Sequence, residues 1–211
     1  FGVEDTPTLL VSILKDRTVA QIQEAAEQGD LDAAYLLAVA YDVGFGVAPN
    51  RASFDSWSNK AAARGGAAGI YLKGYGLLTG RGTVQADYAK ALPFLERADA
   101  LGFAKASVLL GRLYYEGLGV PPQRRAKVRD PVKGLGYLEK AAQADQRDGL
   151  YHLGRALVSG ELGAPKDTAR GFALLERAAQ KGSAAANAYL CYAFDNARRF
   201  SEARVRCEAA A

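Results

Sequence analysis

A short glycine-closed motif recurs along this chain at a nearly constant interval, and that periodicity constrains the fold more than any other feature. Four segments align closely: Glu24-Ala-Ala-Glu-Gln-Gly29, Lys60-Ala-Ala-Ala-Arg-Gly65, Arg97-Ala-Asp-Ala-Leu-Gly102 and Arg177-Ala-Ala-Gln-Lys-Gly182. Lys140-Ala-Ala-Gln-Ala-Asp145 is a further copy with Asp in place of the closing glycine. Successive copies start 36, 37, 43 and 37 residues apart. A second punctuation falls between them: Gly44-Phe-Gly46, Gly80-Arg-Gly82, Gly117-Leu-Gly119 and the looser Gly160-Glu-Leu-Gly163. Two independent markers keep one period, so the chain is a tandem array. Each unit buries its apolar side only against its neighbours.

Each unit reads as two antiparallel helices. Apolar residues at helical spacing mark the first, as in Ala106, Leu109, Leu110, Leu113 and Tyr114. It ends at the glycine pair, where a left-handed residue closes a helix. The second helix starts after a capping side chain, namely Asn50, Asp87, Asp130 or Asp167, and Asp130-Pro131 adds proline at the first helical position. Pro93 predicts a kink in one second helix. The organisation expected is one solenoid: capping helices over 1–29, repeats over 30–65, 66–102, 103–145 and 146–182, and a partial or capping repeat over 183–211. Within the cap, Thr6-Pro7 opens a helix through Lys15, and Thr18 opens another ending at Gly29. Asp195–Ser201 lacks the Gly-x-Gly loop and reads as a C-terminal cap or as the point where a longer array was cut.

The third unit carries Ala106, Leu110-Gly111, Tyr114, Gly117-Leu-Gly-Val120, Asp130, Lys133, Tyr137 and Lys140-Ala-Ala142, and the fourth carries Leu153-Gly154, Gly160, Asp167, Arg170 and Arg177-Ala-Ala179. In these positions the chain resembles the Sel1-like repeat family, a branch of the tetratricopeptide-like proteins, over about residues 24 to 211. The resemblance implies an all-α fold, a right-handed α/α superhelical solenoid of antiparallel helix pairs. It also implies a non-enzymatic scaffold or adaptor for protein–protein interaction in a bacterial envelope assembly or regulatory system. The alternative it offers is a periplasmic component of exopolysaccharide secretion that contacts an anionic polysaccharide or its export proteins. Lys73 in place of leucine, and Ala38 and Cys191 in place of glycine, depart from the pattern and predict local repacking.

Composition narrows the function. Charged residues make up 24% and the formal net charge is +4, too mild for a nucleic-acid-binding face. No apolar run is long enough to span a membrane. The chain contains no Met and reads as a processed piece of something longer; Phe1–Thr6 lacks the basic start and apolar stretch of a signal peptide. A single imidazole, His152, reads as a half-exposed helical residue. No metal-ligand spacing and no Gly-x-Ser-x-Gly elbow accompanies it, so no catalytic, cofactor or metal site is expected. The glycine pairs follow helices, not strands, and lack Gly-Lys-Ser/Thr, so they read as repeat punctuation and not as phosphate loops.

Cys191 follows Gly182 by nine residues, as Gly111 follows Gly102 and Gly74 follows Gly65, while Cys207 aligns with Leu95, Leu138 and Leu175 on the inward face of the second helix. Two readings stand. One is a disulfide within a single hairpin, which would stabilise by roughly 3 kcal/mol and place the protein in an oxidising compartment such as a periplasm. The other is a pair of reduced, buried thiols.

Helical solenoids bind partners along their concave wall of first helices. The repeat register places Tyr35, Tyr71, Val108, Tyr151 and Ala188 in one outward row. Val39, Tyr75, Arg112, Arg155 and Tyr192 form the next, and Asp42, Leu78, Tyr115, Val158 and Asp195 a third. From these rows the partner-binding candidates are Tyr35, Tyr71, Tyr75, Arg112, Tyr115, Tyr151, Arg155 and Tyr192, facing a protein or peptide. The insertion Pro121–Arg129 adds a basic loop of Arg124, Arg125, Lys127 and Arg129. It reads as a solvated insertion or as a contact for an acidic protein surface, an anionic polysaccharide or lipid headgroups.

Overall fold

The computed structural model describes residues 17–80, 85–196 and 198–210. Among them are twelve α-helices and no strand: α1 (Val19–Gln28), α2 (Leu31–Val43), α3 (Arg51–Ala63), α4 (Ala67–Thr79), α5 (Tyr88–Ala100), α6 (Ala104–Glu116), α7 (Pro122–Val128), α8 (Pro131–Gln143), α9 (Arg147–Ser159), α10 (Thr168–Gln180), α11 (Ala184–Asn196) and α12 (Phe200–Glu208). The helix expected from Thr6 to Lys15, and Gly82 of the second glycine pair, lie outside the described residues.

The expected punctuation sets the helix ends. Asn50, Asp87, Asp130 and Asp167 each accept a hydrogen bond from a backbone N–H of the first turn of α3, α5, α8 and α10. Thr18 and Gln21 form a reciprocal capping box on α1. At the closing-glycine position of the motif, Asp145 takes φ 53°, and its carboxylate meets Arg177 at 2.9 Å and Lys181 at 2.5 Å. The neighbouring side chains thus accompany a conformation that other repeats give to glycine. Pro93 stands on the exposed side of an α5 that runs unbroken from Tyr88 to Ala100.

One backbone bond closes each hairpin whatever the loop between. The N–H of each capping residue donates to a carbonyl near the end of the first helix: Asn50 to Tyr41, Asp87 to Leu77, Asp130 to Tyr114 and Asp167 to Leu157, at 2.6 to 3.0 Å. The insertion in the third repeat leaves that closure intact. It is not a loop, since Pro122–Val128 forms the short helix α7, started by a proline whose missing N–H costs nothing at a first turn.

The chain forms two compact units. The first runs to Leu109 and includes Leu118–Arg124; the second comprises Leu110–Gly117 and continues from Arg125. In the first, α1 through α5 pack consecutively and α2 also touches α4. Its core holds Ile22, Leu37, Phe54, Trp57 and Leu72, with a smaller cluster of Ile70, Ala98 and Ala106 under Phe94 and Phe103. In the second, α8 through α12 pack consecutively around Leu138, Leu150, Leu153, Leu157, Leu175 and Leu190.

Small residues decide how closely these helices approach. A Cβ on Gly74 would come within 2.8 Å of Leu95, and one on Gly111 within 2.7 Å of Leu138. Between hairpins the first alanine of the Lys-Ala-Ala motif does the same. A Cβ on Gly69 would lie 2.4 Å from that of Ala61, and one on Gly149 2.6 Å from that of Ala141. The motif is therefore a packing rule, glycine or alanine where two helix backbones meet.

Candidate protein-binding surface

In the first unit the aromatic candidates gather round a residue that sequence reasoning missed. Phe103 receives Tyr35 edge-on at 6.0 Å and Tyr71 tilted at 4.9 Å between ring centroids, and Tyr75 stacks on Tyr71 at 6.0 Å. All four rings are half-buried. α2, α4 and the turn before α6 thus contribute to one aromatic strip. A signal existed: Phe103 follows a closing glycine where other repeats place Asp30, Gly66 and Ser183. Val39 and Leu78, assigned to outward rows, are buried, as is Val108.

In the second unit the candidates separate. Tyr115 is only 4% exposed, and its hydroxyl donates to the Glu161 carbonyl at 2.5 Å. It ties α6 to the turn after α9 and does not face a partner. Tyr151 is half-buried, and the Arg155 guanidinium lies 5.9 Å from its ring centroid. Tyr192, on α11, is 69% exposed. Tyr189, one turn earlier and not singled out in the sequence, is half-buried; burial raises its phenol pKa, and it lies in the field of Arg155, Tyr151 and Tyr192.

Beneath these rings sits a charge cluster that sequence reasoning also missed. The Glu116 carboxylate accepts from Arg155, lies 3.3 Å from Arg112 Nε and stands 3.2 Å from His152 Nδ1. His152 is not a half-exposed helical residue, because its side chain is only 11% exposed. The register explains it: His152 occupies the row of Leu36, Leu72, Leu109 and Tyr189, which turns inward. Burial pushes the imidazole below its ordinary value despite the neighbouring carboxylate. Burial alone would push the Glu116 carboxyl up, but His152, Arg112 and Arg155 overcome it and hold the group down at about 2.

The basic segment is exposed throughout Arg124, Arg125 and Lys127. Arg129 has a second role, donating from Nε and Nη2 to the Glu116 carbonyl at 3.2 and 2.9 Å, where it caps the end of α6. Cys191 and Cys207 form a disulfide, with Cα atoms 5.1 Å apart. Cys191 is half-buried; Cys207 is exposed and not inward-facing as the alignment with Leu95, Leu138 and Leu175 predicts. Lys73, the departure from the leucine row, lays its ammonium 4.9 Å from the Phe94 ring centroid.

Among the described residues no group of His, Cys, Asp and Glu is placed to hold a metal, and no helix is long and apolar enough to cross a membrane. A cleft of about 230 Å³ between α1, α2 and α3 has an apolar floor of Ala26, Ala34 and Trp57 and a rim of Glu27, Asp30, Lys60 and Arg64.

Capped helix hairpins repeated in register, with glycine at recurring close approaches, define a tandem α-hairpin repeat protein. The sequence profile of the Sel1 repeat matches residues 31–53, 67–103, 104–146 and 147–183. The chain belongs to the Sel1 repeat family, whose repeats are protein–protein interaction scaffolds and generally not enzymes. Its fold is similar to that of a Sel1 repeat protein from Oxalobacter formigenes, at 25% identity over 92% of this chain and 75% of that one, with a TM-score of 0.76. A protective antigen with an SLR fold from uropathogenic Escherichia coli shares the fold at 24% identity and a TM-score of 0.65, over 99% of this chain and 46% of the antigen. So does an immunity protein from Pseudomonas aeruginosa, at 19% identity, over 91% of this chain and 72% of that one, with a TM-score of 0.64. No curated protein sequence matches the chain.

Proposed function

We propose that this chain is a non-enzymatic scaffold of a bacterial envelope assembly, holding a protein partner on the tyrosine-bearing faces of its first helices. The carrying observation is Tyr192, 69% exposed on α11 one turn after half-buried Tyr189, in the unit where Arg155 lies against the Tyr151 ring. Tyrosine and arginine dominate binding hot spots because they offer wide contact area and directed hydrogen bonds at low ordering cost. The Phe103 strip gives the first unit a second such face. The Cys191–Cys207 disulfide supports the compartment, since such bonds persist where the surroundings oxidise thiols.

Photo-crosslinking tests the reading. A crosslinking residue at position 192 or 71 should trap the same envelope protein, while one at Val132, exposed on α8, should trap none. Equal adducts at all three positions, or none anywhere, would overturn the assignment. Fractionation and thiol titration test the compartment; two free thiols in protein isolated without reductant count against an oxidising one.

The exposed Arg124, Arg125 and Lys127 favour a second reading, contact with an anionic polysaccharide in exopolysaccharide secretion. Its mark is binding to alginate that weakens with salt and with substitution of those three residues. Arg129, engaged at the end of α6, should contribute least.

A further inference from the structure

The last hairpin is fastened differently from those before it. Where Gly74 meets Leu95 and Gly111 meets Leu138, the equivalent positions of α11 and α12 are Cys191 and Cys207, joined covalently. The rest of α12 is weakly held. It buries Ala203 alone, whereas α10 buries Gly171, Leu174, Leu175, Ala178 and Ala179. Its N-cap, Arg199, makes no side-chain capping bond, while Asp167 caps α10. Phe200 and Val205 are 63% and 62% exposed. Besides the hairpin-closing bond from the Arg199 N–H to the Phe194 carbonyl at 2.8 Å, the ties of α12 are polar: Arg206 to Glu176 and to Asn187 Oδ1, Asn187 Nδ2 to the Ala209 carbonyl, and Arg199 over the Phe194 ring at 4.5 Å. Helices with so little buried apolar area sit at the low end of local stability.

We propose that the Cys191–Cys207 bond is a redox latch whose reduction by a protein dithiol frees α12 from α11 while α8 to α10 stay folded. Cys207 is exposed and Cys191 half-buried, so access favours attack at the Cys207 sulfur. The reductant's thiolate bonds to Cys207 Sγ, the Cys191–Cys207 bond breaks, and Cys191 leaves as a thiolate that takes up a proton. The second thiol of the reductant loses its proton and displaces Cys207 Sγ, which leaves as a thiolate and is protonated in turn. Two electrons pass to the protein, leaving two thiols here and a disulfide on the reductant. Opening uncovers the side of α11 that carries Asn187 and Cys191, where Asn187 is buried in the oxidised form.

Hydrogen exchange followed by mass spectrometry on the full chain, with and without millimolar dithiothreitol, tests the latch. Reduction should release two titratable thiols and speed amide exchange across 200–208 by tenfold or more. Exchange across 131–180 should stay within about twofold. The double variant Cys191→Ser, Cys207→Ser should behave like the reduced protein without reductant, separating loss of the bond from any effect of the reagent. Three results would each overturn the proposal: no thiols released from the folded chain, unchanged exchange in α12 once both thiols are free, or faster exchange spreading equally through α8 to α10.

Discussion

Leu138 lies directly over the Cα of Gly111: a Cβ there would come within 2.7 Å of its side chain. The two residues, on α8 and α6, mark a close approach inside the third hairpin, and Leu138 is buried. Gly111→Ala therefore adds a methyl where there is no room. The better helix propensity of alanine recovers up to about 1 kcal/mol, against roughly 1–3 kcal/mol for forcing the helices apart. A net loss of stability is expected in chemical denaturation. Gly136, on α8 with nothing within 4 Å of a built Cβ, is the control, and Gly136→Ala should stabilise by up to about 1 kcal/mol.

The first repeat shows the same position filled differently. Ser58 stands where Leu95 and Leu138 stand later, buried, and its Oγ has no hydrogen-bond partner among the described residues. An unsatisfied buried hydroxyl costs about 1–3 kcal/mol. Ser58→Ala should accordingly be neutral or stabilising by about 1 kcal/mol in thermal or denaturant unfolding, unlike most buried substitutions. A clear loss would mean that the hydroxyl has a bonding partner.

Much of the fold is legible because each repeat restates it. Asn50, Asp87, Asp130 and Asp167 announce helix starts through chemistry that acts within one turn, and they cap as expected. The candidate surface is less legible because it depends on what the neighbouring hairpin covers. Tyr115 shares a row with exposed Asp195 and buried Leu78, so row membership alone does not fix its exposure. His152 reads as ordinary beside its immediate neighbours, yet the aligned Leu36, Leu72 and Leu109 show that its row faces inward. Glu116 gives no local sign at all. Its partners Arg155 and His152 come from α9, more than thirty residues on, and only the hairpin packing brings them together.

Tyr115 yields a stability prediction for the same reason. Its buried hydroxyl donates to the Glu161 carbonyl, so Tyr115→Phe removes one bond and leaves that carbonyl unpaired by this donor. A loss of about 1 kcal/mol is expected, with crosslinking at position 192 unaffected. Reduced partner capture at unchanged stability would instead place Tyr115 in the binding surface.

Acid should weaken the second unit in two stages. Burial keeps His152 neutral in the folded chain below its ordinary value of 6.5, so as pH falls the unfolded chain takes up that proton first. Stability therefore declines from about pH 6.5 downward until the folded imidazole also protonates. Glu116 follows. Burial would raise its carboxyl, but His152, Arg112 and Arg155 hold it at about 2 against an ordinary 4.5. The stability it contributes is fully present above pH 4.5 and lost as pH falls through 2, at most roughly 3 kcal/mol. Glu116→Gln should lower stability at neutral pH, since Arg112 and Arg155 lose their shared carboxylate, and flatten the curve between pH 4.5 and 2. His152→Asn should flatten the upper stage instead. Denaturation midpoints measured from pH 7 to 2 separate the two, and parallel curves for wild type and both variants would contradict the assignment.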